Sequence, residues 1–248
     1  MKCILLCAGY ATRLYPLTLN YPKALLHIEE NKPVLDYILD KVNEVKEVDE
    51  IYLVTNACYY DLFEEWKNKH INNKKPIKLV NDHTKNKDER LGAVGDIEYV
   101  VRNANIKDDI MVIAGDNLFD FDLTKFTRYY YEKKSPVVCM KETDDLSLLQ
   151  RVAVAKLDSN NKIIYFEEKP NKPKSNLAVF AVYIYPKEVL PLLSKYVNGD
   201  NIVDAPGYFI LYLYKLLDVY GYLFEGECYD VGTHETLREV RENHLRKR

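Results

Sequence analysis

Lys2-Cys3-Ile4-Leu5-Leu6-Cys7-Ala8-Gly9-Tyr10-Ala11-Thr12-Arg13-Leu14-Tyr15-Pro16-Leu17-Thr18 opens the chain with a short apolar run that passes directly into a loop of small residues and an arginine. A run of this length without polar alternation reads as a strand buried on both faces, the habit of a parallel sheet covered by helices. The loop after such a strand can aim backbone N–H groups at phosphate oxygens, and Arg13 adds a planar donor that grips them in pairs. Neither the Walker pattern, which ends in Gly-Lys-Ser/Thr, nor the three-glycine dinucleotide fingerprint is present. On spacing alone, a phosphate-binding loop and a plain strand-to-helix turn with a surface arginine stand level.

Outward from this strand, residues 50–55, 77–80 and 110–114 are also β-rich, and helix-period segments lie between them. Val34, Leu35, Ile38, Leu39, Val42 and Val45 recur at helical spacing after Pro33, a favoured first-turn residue. Residues 60–69 and 95–103 are further helices. This order predicts a parallel sheet with helices on both faces, right-handed crossovers and ligands at the carboxyl ends of the strands. The second half follows another pattern. There, 151–157 and 162–168 flank Asp158-Ser159-Asn160-Asn161 and read as a hairpin, with another strand at 178–185. Helices follow at 187–195 and 207–217, then a strand at 219–224 and a terminal helix from His234. Arg246-Lys247-Arg248 would close that helix as a solubilising end complementary to its dipole. With no internal repeat or Gly/Ser linker, the expectation is one mixed α/β domain over residues 1–248.

Composition excludes several classes. Lys and Arg number 35 against 38 Asp and Glu, a net charge of −3 over 248 residues, without the basic excess of a nucleic-acid binder. At 47% hydrophobic and 29% charged, the chain has the make-up of an ordinary folded protein. Its longest apolar stretch, 177–186, is too short for a bilayer, which needs ~20 apolar residues. The start imitates a signal peptide, but apolar residues 4–8 run straight into the arginine loop, so a cytoplasmic protein is expected. The five cysteines (Cys3, Cys7, Cys58, Cys139, Cys228) form no CxxC pair and read as reduced, buried thiols. No HxxH, HExxH or GxSxG pattern supports zinc hydrolysis or acyl-enzyme chemistry.

The remaining chemistry lies in short motifs. Lys23 follows Pro22, whose fixed φ holds its neighbour, and precedes apolar Ala24-Leu25-Leu26, so it reads as an anchored charge suited to phosphate. Asp116 ends the 110–114 strand beside Gly115, well placed to hold a hard cation, with an Asx turn as the plainer explanation. Asp230, in Tyr229-Asp230-Val231-Gly232-Thr233, is an acid in an apolar frame or else the cap of the terminal helix. Glu167-Glu168-Lys169-Pro170 ordinarily marks a solvated strand end, and residues 85–90 read as a mobile polar loop.

In order along the chain, Leu6–Thr18, Pro22-Lys23, Gly92-Ala93-Val94-Gly95, Gly115-Asp116-Asn117, Glu167–Pro170 and Tyr229–Thr233 resemble the motifs of the sugar-1-phosphate nucleotidyltransferases, in particular the glucose-1-phosphate thymidylyltransferase-like branch. The resemblance covers nearly the whole chain. It implies a Rossmann-like fold, the nucleotide-diphospho-sugar transferase fold, with a mixed, mostly parallel sheet. The nucleotide half would cover about 1–118 and the sugar-phosphate half about 119–248. It implies that Leu6, Ala8, Gly9, Ala11 and Thr12 line the nucleotide, that Arg13 meets the β- and γ-phosphates and that Lys23 meets the α-phosphate. Asn81 or Asp82, together with Gly92, would face the base. Asp116 and Asp230 would hold Mg²⁺, and Asn117, Glu168 and Lys169 would face the sugar phosphate. Arg13, Lys23 and Lys169 would be the catalytic cations. Two departures stand out: Ala11 replaces a glycine, tolerable with a negative φ, and residues 81–90 lack the glutamine often found at the base.

The implied reaction joins an NTP, UTP or dTTP favoured and CTP open, to a sugar-1-phosphate, releasing pyrophosphate. No nucleic-acid or membrane partner is expected, and a homo-oligomer is left open. Two alternatives remain. One is a cytidylyltransferase for a small non-sugar phosphate such as phosphocholine. The other is a non-catalytic nucleotide-sugar-binding regulator, against which stands the presence of all five charged residues Arg13, Lys23, Asp116, Lys169 and Asp230.

Overall fold

Side chains of β1 (Lys2–Leu6) alternate between two apolar cores, Cys3 and Leu5 entering one and Ile4 the other, which is why the run carries no polar position after Lys2. The computed structural model describes residues 1–246. Side chains from position 244 onward lie outside the described residues, and with them the charged end expected at Arg246-Lys247-Arg248. After β1 come the short ribbon β2 (His27–Glu29) and β3 (Lys32–Pro33), then α1 (Val34–Glu44), β4 (Glu50–Thr55), α2 (Tyr60–Lys69), β5 (Ile77–Asn81), α3 (Ala93–Asn103) and β6 (Ile110–Ala114). Val34, Leu35, Ile38, Leu39 and Val42, the stripe expected of α1, are its buried residues.

Between 117 and 151 the chain forms elements that the sequence reading did not assign: β7 (Asn117–Phe119), α4 (Leu123–Lys133), β8 (Val137–Glu142) and α5 (Leu146–Arg151). Local signals were present. Asp122 caps α4 by accepting from Thr124 N at 2.7 Å, and Asp145 caps α5 by accepting from Leu148 N at 3.1 Å. Arg151 therefore ends a helix instead of starting a strand. The expected hairpin follows as β9 (Ala153–Leu157) and β10 (Ile163–Glu167), then β11 (Leu177–Tyr185), α6 (Leu190–Val197), α7 (Gly207–Leu213), β12 (Tyr220–Leu223), β13 (Cys228–Asp230) and α8 (His234–Arg246).

The main sheet has nine strands, with the path β10-β9-β11-β6-β1-β4-β5 and with β8 and β12 branching from β11. It is parallel from β6 through β1 and β4 to β5, and antiparallel where β11 joins β6 and where β9 and β10 follow. The expected mixed sheet between layers of helices is the observed fold. Buried residues of α1, α4 and α8 fill the core on one face, and those of α3, α6 and α7 the core on the other. Among the described residues no helix is long and apolar enough to cross a membrane. All five cysteines are free. Cys3, Cys7, Cys139 and Cys228 are buried as expected, but Cys58 is exposed, its thiol directed at Lys85 O.

Candidate functional site

A cleft of about 370 Å³ runs along the carboxyl ends of the parallel strands. Its floor begins with the loop after β1. Asn56 fixes that loop by donating from Nδ2 to Ala8 O at 2.9 Å, and Thr18 donates to Ala11 O at 2.8 Å. Ala11 has φ +48°, so the negative φ expected for an alanine there is wrong. The Thr18 hydrogen bond and the short helical turn beginning at Thr12 hold it in the left-handed region in spite of its Cβ. A Cβ on Gly9 would meet nothing within 4 Å, so that residue opens onto empty space. Leu6, Ala8, Gly9, Ala11, Thr12 and Arg13 all line the cleft.

Lys23 stands in a single helical turn that Pro22 enters in an extended conformation and that buried Ala24 and Leu25 anchor. Its ammonium forms an ion pair with Asp116. β7 pairs antiparallel with β13, placing Asp230 opposite Asn117, and Asp116 O accepts from Val231 N at 2.9 Å. This short ribbon joins two acids far apart in sequence, and the side chains of Asp116 and Asp230 are hydrogen-bonded. Burial opposes the charge on Asp116, but Lys23 and the Asp230 hydrogen bond outweigh it and hold the carboxyl below the usual range. Burial and the Asp116 charge push the Asp230 carboxyl up to about 6. Asp230 Oδ1 is buried without a hydrogen-bond partner among the described residues. Asp230 does not cap α8; Thr233 does, accepting from Thr236 N at 3.2 Å. Nor does Asp116 form the Asx turn weighed above, since its carboxylate faces Lys23.

At the far end, Glu168 is half-buried and Lys169 exposed, and both line the cleft together with buried Asn117. Burial raises the Glu168 carboxyl above its usual range, with Lys169 partly offsetting the effect, so a fully solvated strand end does not describe it. Gly207, which begins α7, has no Cβ because Glu168 Oε2 occupies that space. Lys169 has φ +47°, a conformation of the kind that tight functional loops hold.

Of the two residues proposed at the base end, Asp82 lines the cleft, whereas Asn81 is not among its lining residues and accepts from His83 N at 2.8 Å in a turn. Gly92 lines the cleft at the start of α3 with φ +77°, and a Cβ there would strike Val203 O. Several lining residues were not singled out from sequence: Tyr10, Lys87, Arg90, Asp96, Arg151 and Asp204. The loop 85–90, expected to be a mobile polar tract, is exposed throughout and carries hydrogen bonds of its own. Glu89 accepts from Lys85 N at 2.8 Å and Asn86 Nδ2 at 2.7 Å, and Arg90 pairs with Asp204 at 3.0 Å across the cleft mouth. Only the Asn86-x-x-Glu89 spacing hinted at this.

Cations that face paired carboxylates across an elongated cleft suit a polyanionic ligand held together with a hard metal ion. In sequence the chain belongs to the nucleotidyl transferase family, whose model matches residues 2–247. It is 32% identical over 238 residues to the bifunctional protein GlmU of Methanocaldococcus jannaschii, covering 94% of this chain and 51% of that protein. It is 29% identical over 257 residues to the glucose-1-phosphate adenylyltransferase of Fervidobacterium nodosum, covering 96% and 59% respectively. The chain therefore spans between half and three-fifths of the length of these relatives. The structure of a UDP-glucose pyrophosphorylase complexed with UDP-glucose shares the fold, with a TM-score of 0.84 at 24% identity over 100% of this chain and 99% of that one.

Proposed function

We propose that the chain joins a sugar-1-phosphate to a nucleoside triphosphate, UTP or dTTP by the sequence reading, giving an NDP-sugar and pyrophosphate. The observation that carries this reading is the position of Lys23 between the arginine loop and the Asp116–Asp230 pair, with Glu168 and Lys169 at the other end of the same cleft. Two anionic substrates must be brought together, and the acceptor's phosphate oxygen, already ionised near neutral pH, attacks the α-phosphorus in line with departing pyrophosphate. No general base is needed. Arg13 grips the outer phosphates, Lys23 neutralises charge that grows on the α-phosphoryl group, and Lys169 relieves repulsion between the two anions. Glu168 accepts hydrogen bonds from sugar hydroxyls and orients the acceptor.

Asp116 and Asp230 fit Mg²⁺. Their side chains lie against each other and offer only oxygen, and Asp230 Oδ1 lacks a partner among the described residues. When bound, the ion supplies charge neutralisation to phosphate oxygens. The test is pyrophosphate release from the purified chain with a panel of NTPs and phosphate acceptors, with and without Mg²⁺. Turnover with a sugar-1-phosphate that EDTA abolishes is expected. Turnover only with an amino-alcohol phosphate, or nucleotide binding without turnover, would replace the proposal with one of the two alternatives.

A further inference from the structure

A second pair of buried acids lines the cleft away from the phosphate end. Asp82 and Asp96 are 6% and 7% exposed, and their side chains are hydrogen-bonded to each other. Asp82 Oδ1 accepts from Thr84 N at 2.7 Å and from the Thr84 hydroxyl at 2.9 Å. That hydroxyl has then spent its one hydrogen, so Tyr10 donates to it across 3.1 Å. The hydrogen between the two acids belongs to Asp96, whose carboxyl burial and the Asp82 charge push well above its ordinary range. Every hydrogen of the network thus points toward Asp82, and Asp96 Oδ1 is left buried with no partner among the described residues. The cluster offers a ligand acceptors and no donor.

Its place in the sheet says which part of a ligand it meets. Asp82 follows β5, at one end of the strand path. Arg13, Lys23 and Asp116 follow or flank the central β1 and β6, and Glu168 follows β10 at the opposite end. A nucleotide whose phosphates lie at the centre, with the acceptor sugar toward Glu168, extends its base toward Asp82 and Asp96.

We infer that Asp82 and Asp96 together read the nucleobase by accepting a ring N–H, so that the donor is a nucleotide of uracil, thymine or guanine in preference to cytosine or adenine. This rests on the nucleotidyl-transfer reading above and narrows it. At the corresponding ring position cytosine and adenine carry a lone pair, which would face another acceptor, and buried sites of fixed polarity reject such mismatches strongly.

The test is calorimetric titration of the full chain with UTP, GTP, CTP, ATP and N3-methyl-UTP in Mg²⁺, alongside pyrophosphate release. UTP or GTP should bind roughly tenfold or more tightly than CTP and ATP, and N3-methylation should abolish the advantage of UTP. Asp82→Asn, which supplies both a donor and an acceptor, should collapse the UTP-to-CTP ratio. Asp96→Asn still donates to Asp82 and should retain it. Equal binding of CTP and UTP, unimpaired binding of N3-methyl-UTP, or a well-folded Asp82→Asn protein with an unchanged ratio would overturn the inference. Intact selectivity without pyrophosphate release from any acceptor would instead overturn the transfer reading while supporting this one.

Discussion

Lys23 and Arg13 present cations to the same cleft from different depths. Arg13 is exposed, so Arg13→Ala should lower turnover by ~10²-fold or more while leaving stability within about 0.5 kcal/mol. Lys23 forms the ion pair that compensates Asp116 beside buried Asp230. Its removal leaves two adjacent buried carboxyls without that cation, and breaking a buried pair costs up to ~3–5 kcal/mol, less to the extent that the acids take up a proton. Lys23→Ala should therefore lose both turnover and melting temperature, and thermal denaturation beside steady-state kinetics separates the two variants. A Lys23→Ala protein that melts like the wild type would show that the pair contributes nothing to the fold. Ala11 offers a test of local strain. Its left-handed φ costs ~1–2 kcal/mol, whereas glycine loses ~0.5–1 kcal/mol through its freer unfolded chain. Ala11→Gly should leave the melting temperature level or raise it by a few degrees; a clear fall would mean that the Cβ makes a contact worth more than the strain.

At the scale of elements, the loop between β5 and α3 has no buried residue from 85 to 90. Asn86 and Glu89 hold it through side-chain-to-backbone bonds, and Arg90 fastens it to Asp204 at the segment leading into α7. α3 is fastened to the same segment by its own backbone, Val94 N donating to Val203 O at 2.9 Å. Such solvent-facing bonds open locally with little effect on global unfolding. Glu89→Ala should accordingly raise the KM for the nucleotide roughly 3- to 10-fold, ~0.7–1.4 kcal/mol, with a small change in melting temperature. An unchanged KM, or a fall in stability of core-mutation size, would show that the loop is not acting as a wall of the cleft. On sequence alone its charges read as a solvated tract, because hydrogen bonds among Lys85, Asn86 and Glu89 leave no trace in hydropathy.

At the scale of the whole molecule, Asp96 makes stability depend on pH. Asp82 is the charged group that bears on it most directly, and the Thr84 donors and His83 bear on Asp82 in turn. The folded-state pKa of Asp96 is raised, so the folded protein holds a proton that the unfolded chain releases near pH 4. Stability linked to that proton is complete below about pH 4 and declines as pH rises toward the folded-state value, by at most ~1.4 kcal/mol per unit. Asparagine at 96 keeps a donor to Asp82 and removes the titration. In urea unfolding at pH 5 and pH 8, the wild type should lose stability relative to Asp96→Asn on going to the higher pH. Parallel profiles would mean that Asp96 is already ionised at pH 5.

What the sequence determined by itself was whatever short-range pattern encodes. The two-faced apolar run of β1, the helical stripe from Val34 to Val42 and the hairpin around Asp158–Asn161 fix their elements locally, because side-chain period and turn chemistry act over a few residues. The ordered motifs likewise pointed to the family and to the charged residues at the centre and the Glu168 end of the cleft, Arg13, Lys23, Asp116, Asp230, Glu168 and Lys169. Tertiary structure alone decided which acids meet. Asp230 reaches Asp116 only because β13 pairs with β7, and Asp96 reaches Asp82 only because α3 packs against β1 and β4, with β5, which leads to Asp82, paired beside β4. Desolvation then raises the carboxyls of Asp230 and Asp96 above the ordinary range, and the Thr18 hydrogen bond holds Ala11 where an alanine alone would not stay. Burial and long-range pairing depend on the whole packed chain, so no window of sequence carries them.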